Sequence, residues 1–120
     1  MVTKLGKALR SIRLEQGEVL KDMAQCLSIS TAYLSAIENG KRRASEEMIQ
    51  KVCKLYSLDE QEQRKLEEAW IQSIDEVTIN LKNSSGLHRD LGVVFARRFD
   101  GLSTEEIEKV MQILGKDGNG

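Results

Sequence analysis

The sequence predicts an all-helical protein, and three observations carry that expectation. No proline interrupts any of the 120 residues. Aromatic residues make up only 4%, and Val, Ile and Thr do not alternate with polar residues as a half-buried strand requires. Apolar residues instead recur at steps of three and four through most of the chain, which places them on single faces of helices.

Thr3 is the expected N-cap of a first helix running to about Gln16, with Leu5, Ala8, Leu9 and Ile12 on one face and Gly17 ending it. The stretch Leu20–Asn39, LKDMAQCLSISTAYLSAIEN, then reads as two short helices crossing at a tight turn. Met23, Ala24 and Leu27 share a face on one, Ile29 falls in the connector, and Leu34 and Ile37 share a face on the next. Ala24 is the pivotal position, because only a small side chain lets the second axis cross close above the first. Ser30 supplies a hydroxyl N-cap for the second of these helices, and Ser45 does the same for a fourth, whose first turn holds Glu46 and Glu47 at the positive helix end. Met48, Ile49, Val52, Cys53 and Tyr56 form that helix's apolar face.

From Asp59 to about Leu81 the pattern predicts one long helix with a stripe of Leu66, Ala69, Trp70, Ile74, Val77 and Leu81. Asn83 to Gly86 is a break. A further helix contains Leu91, Val93, Val94, Phe95 and Phe99. Ser103 with Glu106 forms a capping box that opens a last helix through Ile107, Val110, Met111 and Leu114, giving a C-terminal hairpin. The tail GKDGNG is expected to fray and to be a natural terminus.

Formal net charge is −1, but its distribution is uneven: residues 1–56 carry ten Lys and Arg against six acids, and residues 57–120 carry eight against thirteen. The basic half suits phosphate, and the acidic half is expected to be held away from it. Cys26 and Cys53 lack a CxxC partner or a neighbouring histidine, so they are expected to be buried thiols rather than metal ligands. His88 is the only histidine and falls in a loop-like stretch, leaving triad chemistry without its parts. No metal site, cofactor motif or enzymatic activity is expected. Neither a signal-peptide stretch nor a bilayer-spanning run is visible, which predicts a cytoplasmic protein without membrane contact.

From Leu5 to Leu58 the residues resemble the lambda-repressor-like, or Cro/C1-type, helix-turn-helix regulators. LGKALRSIRLEQG, the MAxxLxIS core, YLSAIENGKR and ASEEMIQKVCKLYSL carry the likeness, IENGKR being its most specific piece. The resemblance implies a five-helix DNA-binding domain, with residues 1–58 as its core; the apolar pattern extends the fifth helix over 59–82 and makes 83–120 a helical hairpin, either a cap folded back over its own long helix or, the favoured reading, a dimerisation element. Two departures stand out. Ser28 occupies the turn where the family usually has Gly, at a cost of about 1 kcal/mol if that residue is left-handed. Val19 and Leu20 replace the usual Ser or Thr followed by Gln, so that helix start is poorly capped and the Gln's phosphate contact is not carried over.

With Ser30 as cap, Thr31 and Ala32 point toward the groove of a duplex, and Ser35 and Ala36 lie one turn further along the same face. Such small hydroxyl and methyl groups contact thymine methyls and make single hydrogen bonds to base edges. Tyr33 either packs against the domain or reaches a base or phosphate. By resemblance, Asn39, Lys41, Arg42 and Arg43 meet the sugar-phosphate backbone. The resemblance also pairs Glu38 with Arg13 as a structural ion pair, with Arg13 placed near phosphate as well. Reading two half-sites about 34 Å apart requires two copies, and Trp70, Val77, Phe95, Ile107 and Met111 are the expected dimer interface. The implied function is a transcriptional regulator, most simply a repressor that binds a palindromic operator as a homodimer, in the setting of a mobile element. The alternative is an antitoxin that autoregulates through this domain and neutralises a toxin with its acidic C-terminal helices.

Overall fold

A computed structural model describes residues 1–115 of the chain, which form seven α-helices and one 3₁₀ turn, with no strand among the described residues. The fraying expected of the tail falls, beyond Gly115, outside the described residues. The helices are α1 (Lys4–Glu15), α2 (Leu20–Cys26), α3 (Thr31–Glu38), α4 (Glu46–Leu55), α5 (Glu60–Ser73), α6 (Gly86–Arg98) and α7 (Thr104–Leu114), with the 3₁₀ turn at Phe99–Gly101. Two units result, one spanning Met1–Val77 and a second from Thr78 onward.

Helix starts follow their capping residues. Hydroxyls of Thr3, Ser30 and Ser45 accept the N–H of Gly6, Tyr33 and Met48, and Asp59 forms a reciprocal box with Glu62. Val19 offers no side-chain acceptor. Its own N–H is instead taken by Asp22 Oδ2 at 2.9 Å, so one of the orphan donors at the start of α2 is satisfied.

Helix ends share a single device. After each of α1, α2, α3 and α4 the chain passes through a left-handed residue: Gly17 (φ 67°), Ser28 (φ 59°), Gly40 (φ 75°) and Ser57 (φ 48°). Each is followed by an N–H that reaches five residues back, Glu18 to Arg13, Ile29 to Ala24, Lys41 to Ala36 and Leu58 to Cys53. This is the Schellman ending, which favours glycine at the left-handed position. Serine there carries a steric cost that glycine avoids, partly offset by glycine's greater unfolded-chain entropy. Ser28→Gly is therefore expected to stabilise the first unit by about 0.5–1 kcal/mol, read as a rise of several degrees in its thermal midpoint.

Leu5, Leu9, Met23, Ala24, Leu27, Leu34, Ile37, Ala44, Ile49, Val52, Leu58 and Leu66 make one buried core, all within the first unit. Ala24 is 1% exposed, as the close crossing of α2 and α3 demands. A second close approach joins α1 to the end of α3. The Thr3 N–H and Oγ1 both donate to the Glu38 carbonyl, at 3.0 and 3.1 Å, and a Cβ added to Gly6 would lie 2.3 Å from that same oxygen. Helix propensity alone favours Gly6→Ala by about 1 kcal/mol. The backbone collision reverses the sign, and a net loss of about 1–3 kcal/mol in denaturant unfolding is expected.

The fifth helix stops at Ser73, well short of Leu81. Its last tertiary anchor is Trp70, and four of the six residues from Ile74 to Ile79 are β-branched, so beyond Trp70 neither packing nor propensity sustains a helix. Ile74 is already extended (φ −91°, ψ 135°). Leu81 lies instead over Gly92 of α6, where an added Cβ would come within 3.1 Å of its Cδ2. His88 is also placed differently: it sits in the first turn of α6, its N–H on the capping Ser85 Oγ. Cys26 is exposed rather than buried, because Met23, Ala24 and Leu27 fill the core face of α2. Cys53 is half-buried, and burial, then the nearby Glu67 charge, push its thiol up from the usual range. The two C-terminal helices form with Ser85 and the Ser103–Glu106 box as caps, yet they do not pack along each other as a closed hairpin.

Candidate nucleic-acid interface

Helix α3 presents two different faces. Leu34, Ile37 and Glu38 are buried beneath it, while Thr31 and Ala32 are exposed and Ser35 and Ala36 half-exposed on the outer side. The outer residues are the four singled out from the sequence, and they form a surface of methyl and hydroxyl groups without a charge. Tyr33 is half-buried at the edge of the core, and its ring lies under the Arg42 guanidinium, 5.3 Å from ring centroid to Cζ. The ring thus does a packing task and supports a cation in the following loop.

The Schellman turn at Gly40 directs that loop outward. Lys41, Arg42 and Arg43 are all exposed, whereas their neighbour Ala44 is buried and fixes the loop's far end. The Ala44 carbonyl accepts the Trp70 Nε1–H at 2.8 Å. Trp70 is accordingly committed to the first unit's core rather than to a dimer interface, a correction whose cause is this hydrogen bond together with the ring's packing on the core. Asn39 donates its Nδ2–H to the Ser35 carbonyl at 2.8 Å, so part of its polar capacity closes the end of α3. Lys4, Lys41, Arg42 and Arg43 border a groove of about 690 Å³ that Gln72, Asp75 and Glu76 also line. Sequence reasoning attached no role to Lys4 here, since only the fold brings the start of α1 beside the loop.

Glu38 and Arg13 hold the base of α3. The Arg13 guanidinium grips both Glu38 carboxylate oxygens, Nη1 on Oε2 and Nη2 on Oε1 at 3.0 Å, with Nη1 also directed at Met23 Sδ. Arg13 is 7% exposed and Glu38 1%. This bidentate geometry fixes orientation as well as charge. It also corrects the expectation that Arg13 touches phosphate, because a buried guanidinium with both Nη atoms engaged has no path to a duplex. Arg10 takes the outer position: its Nε lies 3.5 Å from Glu38 Oε1 while half of its side chain stays in solvent. One turn of helix separates Arg10 from Arg13, and only the packing of α1 reveals which of them faces inward.

Two further ties brace the surface from behind. Lys51 Nζ donates to the Leu27 carbonyl at 3.2 Å, meeting the negative end of α2. The Tyr56 hydroxyl donates to Glu18 Oε1 at 2.5 Å, and burial, followed by that carboxylate, raises the phenol's pKa so that it stays protonated. Among the described residues no cluster of His, Cys, Asp and Glu is arranged to hold a metal ion, and no helix is long and apolar enough to cross a membrane.

Among proteins of known role, the transcriptional regulator ClgR of Mycobacterium tuberculosis is 35% identical over 49 residues, a stretch covering 41% of this chain and 44% of that relative. The HTH-type transcriptional regulator DdrOP3 of Deinococcus deserti is 40% identical over 55 residues, covering 46% of this chain and 43% of the relative. The chain thus spans under half the length of the curated relatives it matches. No solved structure matches it. The model of the helix-turn-helix domain matches residues 4–66, the stretch that runs from the first residue of α1 to the buried Leu66 of α5 and takes in α3, the basic loop and the Arg13–Glu38 pair. With the crossing at Ala24, the capped α3 and the basic loop all inside that match, the chain belongs to the helix-turn-helix domain family.

Proposed function

We propose that this protein is a sequence-specific DNA-binding transcriptional regulator, acting in the cytoplasm as a homodimeric repressor on a two-fold symmetric operator. The observation that carries this reading is the pairing of an uncharged, outward face on α3 with three exposed cations one turn beyond it. Thr31, Ala32, Ser35 and Ala36 read base edges in the major groove, chiefly thymine methyls and single hydrogen-bond positions. Lys41, Arg42 and Arg43, with Lys4 and Arg10 at the margin, hold the backbone, which fixes register without reading sequence. Asn39 adds a backbone contact through whatever part of its amide the helix end leaves free.

Repression follows from occupancy: a protein seated across a promoter excludes polymerase. No catalytic step is invoked, and the relatives named as transcriptional regulators support a binding role. Control of a mobile element is part of this reading and rests on resemblance alone. Residues 1–58 serve as the DNA-binding core, 59–82 complete and leave it, and the remainder serves dimerisation, with Phe95, Ile107, Met111 and Val77 as interface residues. Val77 is 76% exposed, and α6 and α7 have no buried residue.

Selection from random duplexes with the full chain tests this directly. The expected product is a palindrome with half-sites about one helical turn apart, and Thr31→Ala with Ser35→Ala is expected to change the preferred sequence while leaving binding to random duplex intact. An equal loss on selected and random DNA would show that these side chains do not read bases. A second reading, a DNA-binding antitoxin, draws on the same exposed apolar faces of α6 and α7 and the acidity of residues 57–120. Neutralisation of a lethal, co-transcribed neighbour by the chain would favour it.

A further inference from the structure

The second unit carries an apolar surface that its own described helices leave exposed. On α6, Leu87, Leu91, Val94 and Phe95 fall within an arc of about 100° at 3.6 residues per turn. On α7, Ile107, Val110, Met111 and Leu114 do the same at steps of three, four and seven. Leu87 is 80% exposed and Leu91 64%; Ile107, Met111 and Leu114 are exposed as well. Phe95 and Phe99, the one aromatic pair among the described residues, with centroids 5.6 Å apart, join α6 to the turn that follows it and not to α7. Units of this size rarely stand without a well-filled core or a partner.

Charge indicates what covers these faces. Helix α6 carries Arg89, Arg97 and Arg98 against one acid, Asp90, whereas α7 carries Glu105, Glu106 and Glu108 against one base, Lys109. Packing α6 on a second α6, or α7 on a second α7, sets like charge against like. Packing α6 on α7 brings helices of opposite net charge together, with Arg98 inside the apolar arc of α6 and Glu106 and Glu108 flanking that of α7, and complementary charge beside an apolar seam selects partner and register. Since the two helices of one chain do not pack along each other, the complementary surface has to come from elsewhere.

We propose that the partner is a second copy of this chain, with α6 of each copy lying against α7 of the other, so that two identical α6–α7 seams form around a two-fold axis. This inference rests on the homodimer reading above and specifies its pairing. A two-fold exchange of this kind is isologous and closes at two copies. Arg98 then faces the acidic flank of the partner's α7, and the apolar arcs of both helices leave water together.

Sedimentation equilibrium on full-length chains tests the pairing with two charge-reversed variants, Arg98→Glu and Glu108→Arg; Glu105 is left in place because it lies on the outer face of α7, 3.4 Å from Lys109 Nζ. Glu106 is left in place because its carboxylate accepts the Ser103 N–H that opens α7. The wild type is expected to be a dimer, each variant alone to dimerise at least tenfold more weakly, and their equimolar mixture to recover wild-type association, since both seams of the mixed dimer are complementary again. Recovery on mixing also shows that each variant chain is folded. Variants that dimerise as well as the wild type, or a mixture that fails to recover, would overturn the crossed pairing while leaving dimerisation standing. A wild type that stays monomeric would overturn the homodimer reading itself and give these faces to a different occupant.

Discussion

Replacing Glu38 with alanine is expected to cost the first unit about 3–5 kcal/mol, because it leaves the Arg13 guanidinium buried without a counter-charge. The carboxylate answers both Nη atoms of Arg13 and lies beside Arg10 Nε, and neither it nor Arg13 has appreciable access to water. A loss of that size approaches the whole stability of a small domain, so the variant is expected to unfold at a much lower urea concentration with little change in slope. Glu38→Gln keeps the shape but not the charge and is expected to be nearly as damaging. The double replacement Arg13→Met with Glu38→Leu removes the desolvation cost of both partners and is expected to restore most of the stability. A single Glu38 variant within 1 kcal/mol of the wild type would mean that the pair does not hold α3 in place.

Removing the three loop cations together is expected to have the largest effect on DNA binding. Each phosphate neutralised contributes about −0.9 to the slope of log affinity against log salt. Lys41→Ala/Arg42→Ala/Arg43→Ala is thus expected to flatten the slope by about three for each bound copy, corresponding to about a hundredfold weaker binding per copy near physiological salt. The loss is expected to be the same on selected and random duplexes, since backbone contacts carry no sequence information. Folding should be spared: all three side chains are exposed, and the loop is shaped by the Lys41 and Arg42 N–H groups on the Ala36 carbonyl. Fluorescence anisotropy over a salt series reads both quantities, and an unchanged slope would remove the loop from the interface.

The sequence was most informative where local chemistry decides the outcome. Thr3, Ser30, Ser45 and Ser103 cap where a hydroxyl ahead of a helical pattern should, and Ser28 is left-handed where a helix must stop between Leu27 and Ile29. Ser57 repeats that device, with Leu58 after it as Ile29 follows Ser28, a parallel the periodicity of α4 conceals. Legibility failed where tertiary support was needed. A stripe at helical spacing continues past Trp70, but without a surface to bury it the β-branched residues from Ile74 onward leave the helix. Residues one turn apart, such as Arg10 and Arg13, look equivalent until α1 is docked. Trp70 reads as a free apolar group because its hydrogen-bond partner, the Ala44 carbonyl, lies 26 residues away.

The outer face of α3 and the loop beyond it are the surface proposed to meet duplex DNA. Titrating the isotopically labelled full chain with its selected duplex, and following backbone amide shifts residue by residue, tests that placement most directly. The largest changes are expected at residues 31–36 and 41–43, with smaller ones at the start of α1. Unchanged signals there, with the largest changes on α4 or α5, would contradict it.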